Sequence, residues 1–186
     1  MNEQAHLKEL ISADRIEKRV AELGHRISED FAATIDNDGK PLILLGVLKG
    51  SFMFLADLAR QITLPVEIEF VSMSSYGNRL ESSGTVELQL SPPVDLADRC
   101  VLVVEDIIDT GRSLAKLLEH LQTLAPKEIR LCAFLDKPES RVVDVPVDYV
   151  GFEVPMKFIV GYGLDAAQQY RALGGIYELD AGLVRE

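Results

Sequence analysis

The sequence predicts an α/β fold in which helices flank a mostly parallel sheet, and three observations predict it. Apolar runs alternate with helical stripes through most of the chain. The run LILLGVL is apolar throughout, as in a strand covered on both faces. Turn residues such as Asn37-Asp38-Gly39 punctuate the alternation.

The elements follow in order. Ile16, Val20, Leu23, Ile27 and Phe31 recur at spacings of three or four, which makes one helical stripe. Asp14, with Glu17 three residues later, is expected to cap that helix. Leu42–Leu48 is the covered strand. Residues 51–61 read as a helix with Phe52, Leu55, Leu58 and Ala59 inward. Segments 66–73 and 85–90 read as strands, the second alternating Val86, Leu88 and Leu90 with polar residues. A strand over 101–105 is expected to end at Glu105 and Asp106. It leads to a helix over 113–124 that turns Leu114, Leu117, Leu118 and Leu121 inward. Strands over 129–135 and 147–152 complete the set. Ligands of such sheets gather at the carboxyl ends of the strands.

Composition narrows the function. At 186 residues the chain suits one domain with a full core. A net charge of −11 disfavours a nucleic-acid backbone as partner, but not a phosphorylated small molecule held by local N–H groups. The apolar runs are too short to span a bilayer, and MNEQAHLKEL does not read as a secretory signal. Cys100 and Cys132 lie beside or inside apolar runs and are expected to be buried thiols. Neither shares a metal-type spacing with His6, His25 or His120. A cytoplasmic location is expected.

The densest chemistry lies in VVEDIIDTGRSL, residues 103–114. Asp109, Thr110, Gly111, Arg112 and Ser113 fall at a helix N-terminus, where free N–H groups and the macrodipole suit a phosphate monoester. Gly111 permits close backbone approach, and Thr110 and Ser113 offer hydroxyl donors. Glu105 and Asp106, side by side at a strand end, can accept from a vicinal diol or help hold a hard cation.

That pattern of two acids, two apolar residues and Asp-Thr-Gly resembles the signature of type I phosphoribosyltransferases, and more narrowly the hypoxanthine (hypoxanthine-guanine) branch. The resemblance runs from the first helix to about Tyr177. It implies a single domain over 1–186, with a hood from about 1–15 and 150–186 and a mobile lid over 74–84. It also implies transfer of a phosphoribosyl group from phosphoribosyl pyrophosphate (PRPP) to a purine, with Mg²⁺ as cofactor.

Further motifs take roles from the resemblance. Gly46-Val47-Leu48-Lys49-Gly50-Ser51 is by itself a modest anion site. The family makes Leu48, Lys49 and Gly50 the pyrophosphate loop, with a cis peptide possible between Leu48 and Lys49. Ser75 and Tyr76 would ride on the lid, and Lys137 would donate to the 6-oxo group of the purine. Phe158 would stack on the base, and the backbone of Ile159 would bond its polar edge. Glu105, Asp106 and Asp165 would serve Mg²⁺, and Arg171 would contact pyrophosphate. Met156 departs from relatives that often carry an acid nearby. Asp109 would be the general base.

Two rival readings have different signatures. A phosphoribosyltransferase for xanthine or another base would share the phosphate loop. A PRPP- or nucleotide-sensing regulator that binds nucleic acid should show a basic face or an added segment. The resemblance further implies a homodimer or homotetramer.

Overall fold

The computed structural model describes residues 7–75, 86–90 and 94–180. In chain order the elements are β1 (Leu7–Ile11), α1 (Ala13–Asp38), β2 (Leu42–Leu48), α2 (Phe52–Gln61), β3 (Val66–Ser75) and β4 (Val86–Leu90). They continue with β5 (Cys100–Ile108), α3 (Arg112–Thr123), β6 (Glu128–Asp136), β7 (Tyr149–Glu153), β8 (Ile159–Val160) and β9 (Ile176–Leu179). The main sheet has the order β4-β3-β2-β5-β6-β7. Its last five strands are parallel, and β4 runs antiparallel along the β3 edge. A small antiparallel sheet, β1-β9-β8, joins the two ends of the chain.

Alternation along each strand sends neighbouring side chains to opposite faces, so β2 and β5 are apolar throughout. Leu42, Leu44, Leu102 and Val104 face α1 and α2 in one core layer. Ile43, Leu45, Val101 and Val103 face the α3 leucines in the other. The α1 stripe from Ile16 to Phe31 is buried as expected. Cys100 and Cys132 are both buried thiols. No helix among the described residues is long and apolar enough to cross a membrane.

Three local expectations are corrected. Helix α1 is capped by Ser12, not Asp14, because the helix starts one residue before the acid. Asp14 instead sits in the first turn, where its charge complements the macrodipole. On α2, Phe54 takes the inward position with Leu55 and Leu58, while Phe52 is 39% exposed. At 100° per residue Phe52 lies well off the arc shared by those three side chains. Strand β5 continues past the acids to Ile108, and α3 begins at Arg112, so the connection is only Asp109-Thr110-Gly111. Of the expected lid, Ser74 and Ser75 close β3, whereas 76–84, including Tyr76, lie outside the described residues.

Beneath the sheet, Tyr149 donates to Asp30 Oδ2 at 2.9 Å and accepts from Arg130 Nη1 at 2.8 Å. Burial pushes the phenol up from 10 to about 12, and the Asp30 carboxylate adds to the rise against the lowering effect of Arg130. The unfolded chain releases this proton first, so the stability Tyr149 contributes is complete below pH 10 and is lost as pH climbs to about 12. Denaturant titrations across that window should show a steeper loss for the natural protein than for Tyr149→Phe.

Candidate active site

Register brings the chemistry together. Strands β2 and β5 pair Gly46 with Val104, so two residues further Leu48 stands level with Asp106. Strands β5 and β6 pair Ile108 with Asp136. Three strands thus end on one edge and release three reactive turns there: Lys49-Gly50, Asp109-Thr110-Gly111 and Lys137.

The first turn is a seat for Asp106. A Cβ on Gly50 would fall 1.5 Å from Asp106 Oδ2, so only glycine allows this contact. The Leu48–Lys49 peptide bond is cis. Ser51, fully buried, donates to Val47 O at 2.6 Å and closes the turn into α2. Lys49 is exposed and free to meet an anion.

The second turn forms the mouth of α3. Gly111 caps the helix with φ of 78°, in the left-handed region that suits glycine. No side chain caps this N-terminus, so the hydroxyls of Thr110 and Ser113 are not consumed there. The first N–H groups of α3 lack helical partners and face a phosphate-sized opening. That opening is about 220 Å³, lined by Glu105, Asp109, Thr110, Gly111 and Ser113. Asp109, Thr110, Arg112 and Ser113 are all exposed.

Between these turns sit the acids. Burial, then the neighbouring Asp106 charge and a hydrogen bond to it, hold the Glu105 carboxyl well above the usual carboxylate range. Asp106 is also raised by burial, against the pull of the Ile107 N–H, Glu105 and Arg171. Glu105 Oε2 is enclosed with no hydrogen-bond partner. An enclosed polar atom of this kind calls for a partner from a ligand. A hard cation that arrives with phosphates needs only one or two protein carboxylates, and this pair fits it. No cluster of three acid, His or Cys side chains suited to a metal ion occurs among the described residues.

Asp165 and Arg171 meet each other. Arg171 Nη2 lies 2.7 Å from Asp165 Oδ1, and Gln168 N donates to Asp165 Oδ2 at 2.8 Å. Arg171 Nη1 also donates to Gly163 O at 2.7 Å. Gly163 packs against the Lys49-Gly50 turn, since a Cβ there would stand 2.1 Å from Gly50 O. Sequence reasoning passed over Gly163. Its signal was the Gly-Tyr-Gly spacing of 161–163, typical of close backbone approach.

The third turn carries Lys137, whose N–H donates to Ile108 O at 3.0 Å and whose Nζ donates to Lys157 O at 2.8 Å. The amine is therefore held beside Phe158, which is 42% exposed. Ile159 is buried in β8 opposite Glu178, so it can offer a ligand only its backbone. Met156 stands 64% exposed at the same rim. One cleft of about 510 Å³ is lined by Asp109 and Thr110 on one side and by Lys137 and Phe158 on the other.

A family model described as the phosphoribosyl transferase domain matches residues 8–167. The chain belongs to the phosphoribosyl transferase family. It is 46% identical over 172 residues to hypoxanthine phosphoribosyltransferase of Haemophilus influenzae, spanning 92% of this chain and 94% of that one. It is 43% identical over 171 residues to hypoxanthine-guanine phosphoribosyltransferase of Mycobacterium avium, spanning 92% and 84%. The crystal structure of hypoxanthine-guanine phosphoribosyltransferase from Bacillus anthracis superposes with a TM-score of 0.83 at 43% identity, covering 93% of this chain and 98% of that one. The parallel sheet with flanking helices is thus the fold of this phosphoribosyl transferase family.

Gly50→Ala should displace Asp106 and cut transferase turnover by about 100-fold, the scale of a misplacement near 1 Å. Steady-state rates, read beside a melting curve that shows the variant folded, measure this.

Proposed function

We propose that this transferase moves the phosphoribosyl group of PRPP onto hypoxanthine or guanine, releasing pyrophosphate in purine salvage. The observation that supports the reading is one cleft lined both by Asp109 and Thr110, beside the α3 N-terminus, and by Lys137 and Phe158. A nucleoside monophosphate has those two ends.

Each residue then has a task. Thr110, Gly111, Arg112 and Ser113, with the α3 N–H groups, hold the 5-phosphate. Glu105 and Asp106 accept from the ribose hydroxyls and orient the ring. Lys49, with the backbone of Leu48 and Gly50, holds the diphosphate, and Arg171 approaches it from the other side. Lys137 donates to the 6-oxo group, which adenine lacks, and Phe158 stacks on the ring. Base nitrogen N9 forms its bond to C1 as the C1–O bond to pyrophosphate breaks. Asp109 takes the proton leaving N7. Glu105 and Asp106, with Asp165 on the pyrophosphate side, are the proposed Mg²⁺ residues, and the ion neutralises diphosphate charge when bound.

The β1-β9-β8 sheet, built from both chain ends beside Phe158 and Ile159, is the natural candidate for the hood. Assembly as a homodimer or homotetramer is proposed from the family likeness alone. A cytoplasmic location suits these substrates.

The decisive assay is turnover of PRPP with a panel of hypoxanthine, guanine, xanthine and adenine. Hypoxanthine or guanine should be used and adenine refused. In the same assay Asp109→Asn should lower kcat by about 100-fold or more, the usual size of a general-base contribution. An Asn variant with near-natural turnover would remove Asp109 from the chemistry.

A further inference from the structure

We infer that Arg141 is a positioning residue that sets the base-reading amine of Lys137 by locking the 136–143 segment into a closed strap. The inference rests on the reading of Lys137 as the residue that meets the purine.

The strap leaves the sheet at Asp136, where Asp136 O accepts from Val154 N at 2.8 Å. It turns through the short 3-10 helix Pro138–Ser140. Ser140 N donates to Lys137 O at 3.0 Å, and Arg141 N donates to Pro138 O at 3.2 Å. Beyond the turn the chain comes down on the phosphate loop, where Val142 N and Val143 N both donate to Thr110 O at 3.0 Å. Gly111 makes room for it, since a Cβ there would meet Val143 O at 2.4 Å and Arg141 Cδ at 3.0 Å.

The neck of this strap is an ion pair. The Arg141 guanidinium Nη2 meets Asp136 Oδ1, and both side chains are only 14% exposed. Asp136 is the carboxylate paired with this charge, and Arg141 Nε is enclosed without a hydrogen-bond partner. Removing one member of such a pair leaves a poorly solvated charge behind, and the strap has to open to hydrate it. Lys137 is the first residue inside the neck. Its carbonyl accepts from Ser140 N within the strap, while its N–H rests on Ile108 O and its Nζ on Lys157 O, so a shift of the strap reaches the lysine through that turn. Arg141 itself sits at the edge of the same cleft as Asp109 and Lys137. Its Nη2 is held by Asp136 and its Nε is enclosed, so its effect passes through the strap to the lysine.

The test is a double-mutant cycle with hypoxanthine at saturating PRPP. Arg141→Met is expected to raise the KM for hypoxanthine about 10-fold while kcat moves less than about 3-fold, the signature of lost uniform binding. Arg141→Lys, which keeps a charge opposite Asp136, should recover most of that loss. In a Lys137→Met background the same Arg141→Met change should cost less than about 2-fold, because residues that act through one another are not additive. Asp136→Asn should reproduce the KM effect and stands in if Arg141→Met does not fold. An equal cost in both backgrounds, or a fall in kcat at unchanged KM, overturns the inference. Absence of turnover by the natural protein with any 6-oxopurine overturns the functional reading first, and is seen before any variant is assayed.

Discussion

The structure depends on the side-by-side parallel pairing of β2, β5 and β6. Because the three strands run the same way in fixed register, their carboxyl ends release Lys49-Gly50, Asp109-Thr110-Gly111 and Lys137 along one edge. Antiparallel pairing would send alternate turns to the opposite edge and scatter them. The apolar cores on both faces keep that register, since a slip of one residue would exchange every side chain between the layers around α1–α2 and α3.

Within the site, the same device recurs: a glycine lets one turn press on the next. Gly50 receives the carboxyl of Asp106, Gly163 receives the carbonyl of Gly50, and Gly111 receives the carbonyl of Val143. These contacts link the Lys49-Gly50 turn, the acid pair, the Asp165–Arg171 pair and the 109–111 loop by close packing. Little side-chain freedom remains between them, which suits a reaction whose catalysis is mostly positioning and charge stabilisation.

Electrostatics divides the cleft into unlike parts. Glu105 and Asp106 are crowded and desolvated, which holds both carboxyls above the usual carboxylate range. Lys137 and Arg171 are already neutralised or oriented by carbonyl and carboxylate oxygens, Lys157 O for one and Asp165 with Gly163 O for the other. Asp109 and Thr110 lie open at the mouth of α3. A substrate that carries phosphate, diol and diphosphate in series meets donors and acceptors in a matching series.

Much of this was legible along the chain. Leu42–Leu48 announced a covered strand because every residue in it is apolar, and 103–114 announced a strand leading into a helix N-terminus with its acids, hydroxyls and glycine close together. Local order is what a sequence records, and motifs confined to a few residues survive folding unchanged. The strands of the small sheet were not legible: β1 and β9 pair Leu7 with Leu179 across nearly the whole chain, and β8 is only two residues long. Phe52 and Phe54 are equally apolar, and only the packing of α2 on the sheet decided which one is buried. Likewise Arg141 reads as a surface charge until folding sets Asp136 against it. By itself the sequence of 103–114 determined that acids, hydroxyls and a glycine gather between a strand end and a helix N-terminus. Tertiary structure alone brought Lys137 and Phe158 to the same cleft, because nothing local relates residues that meet only when parallel strands end together.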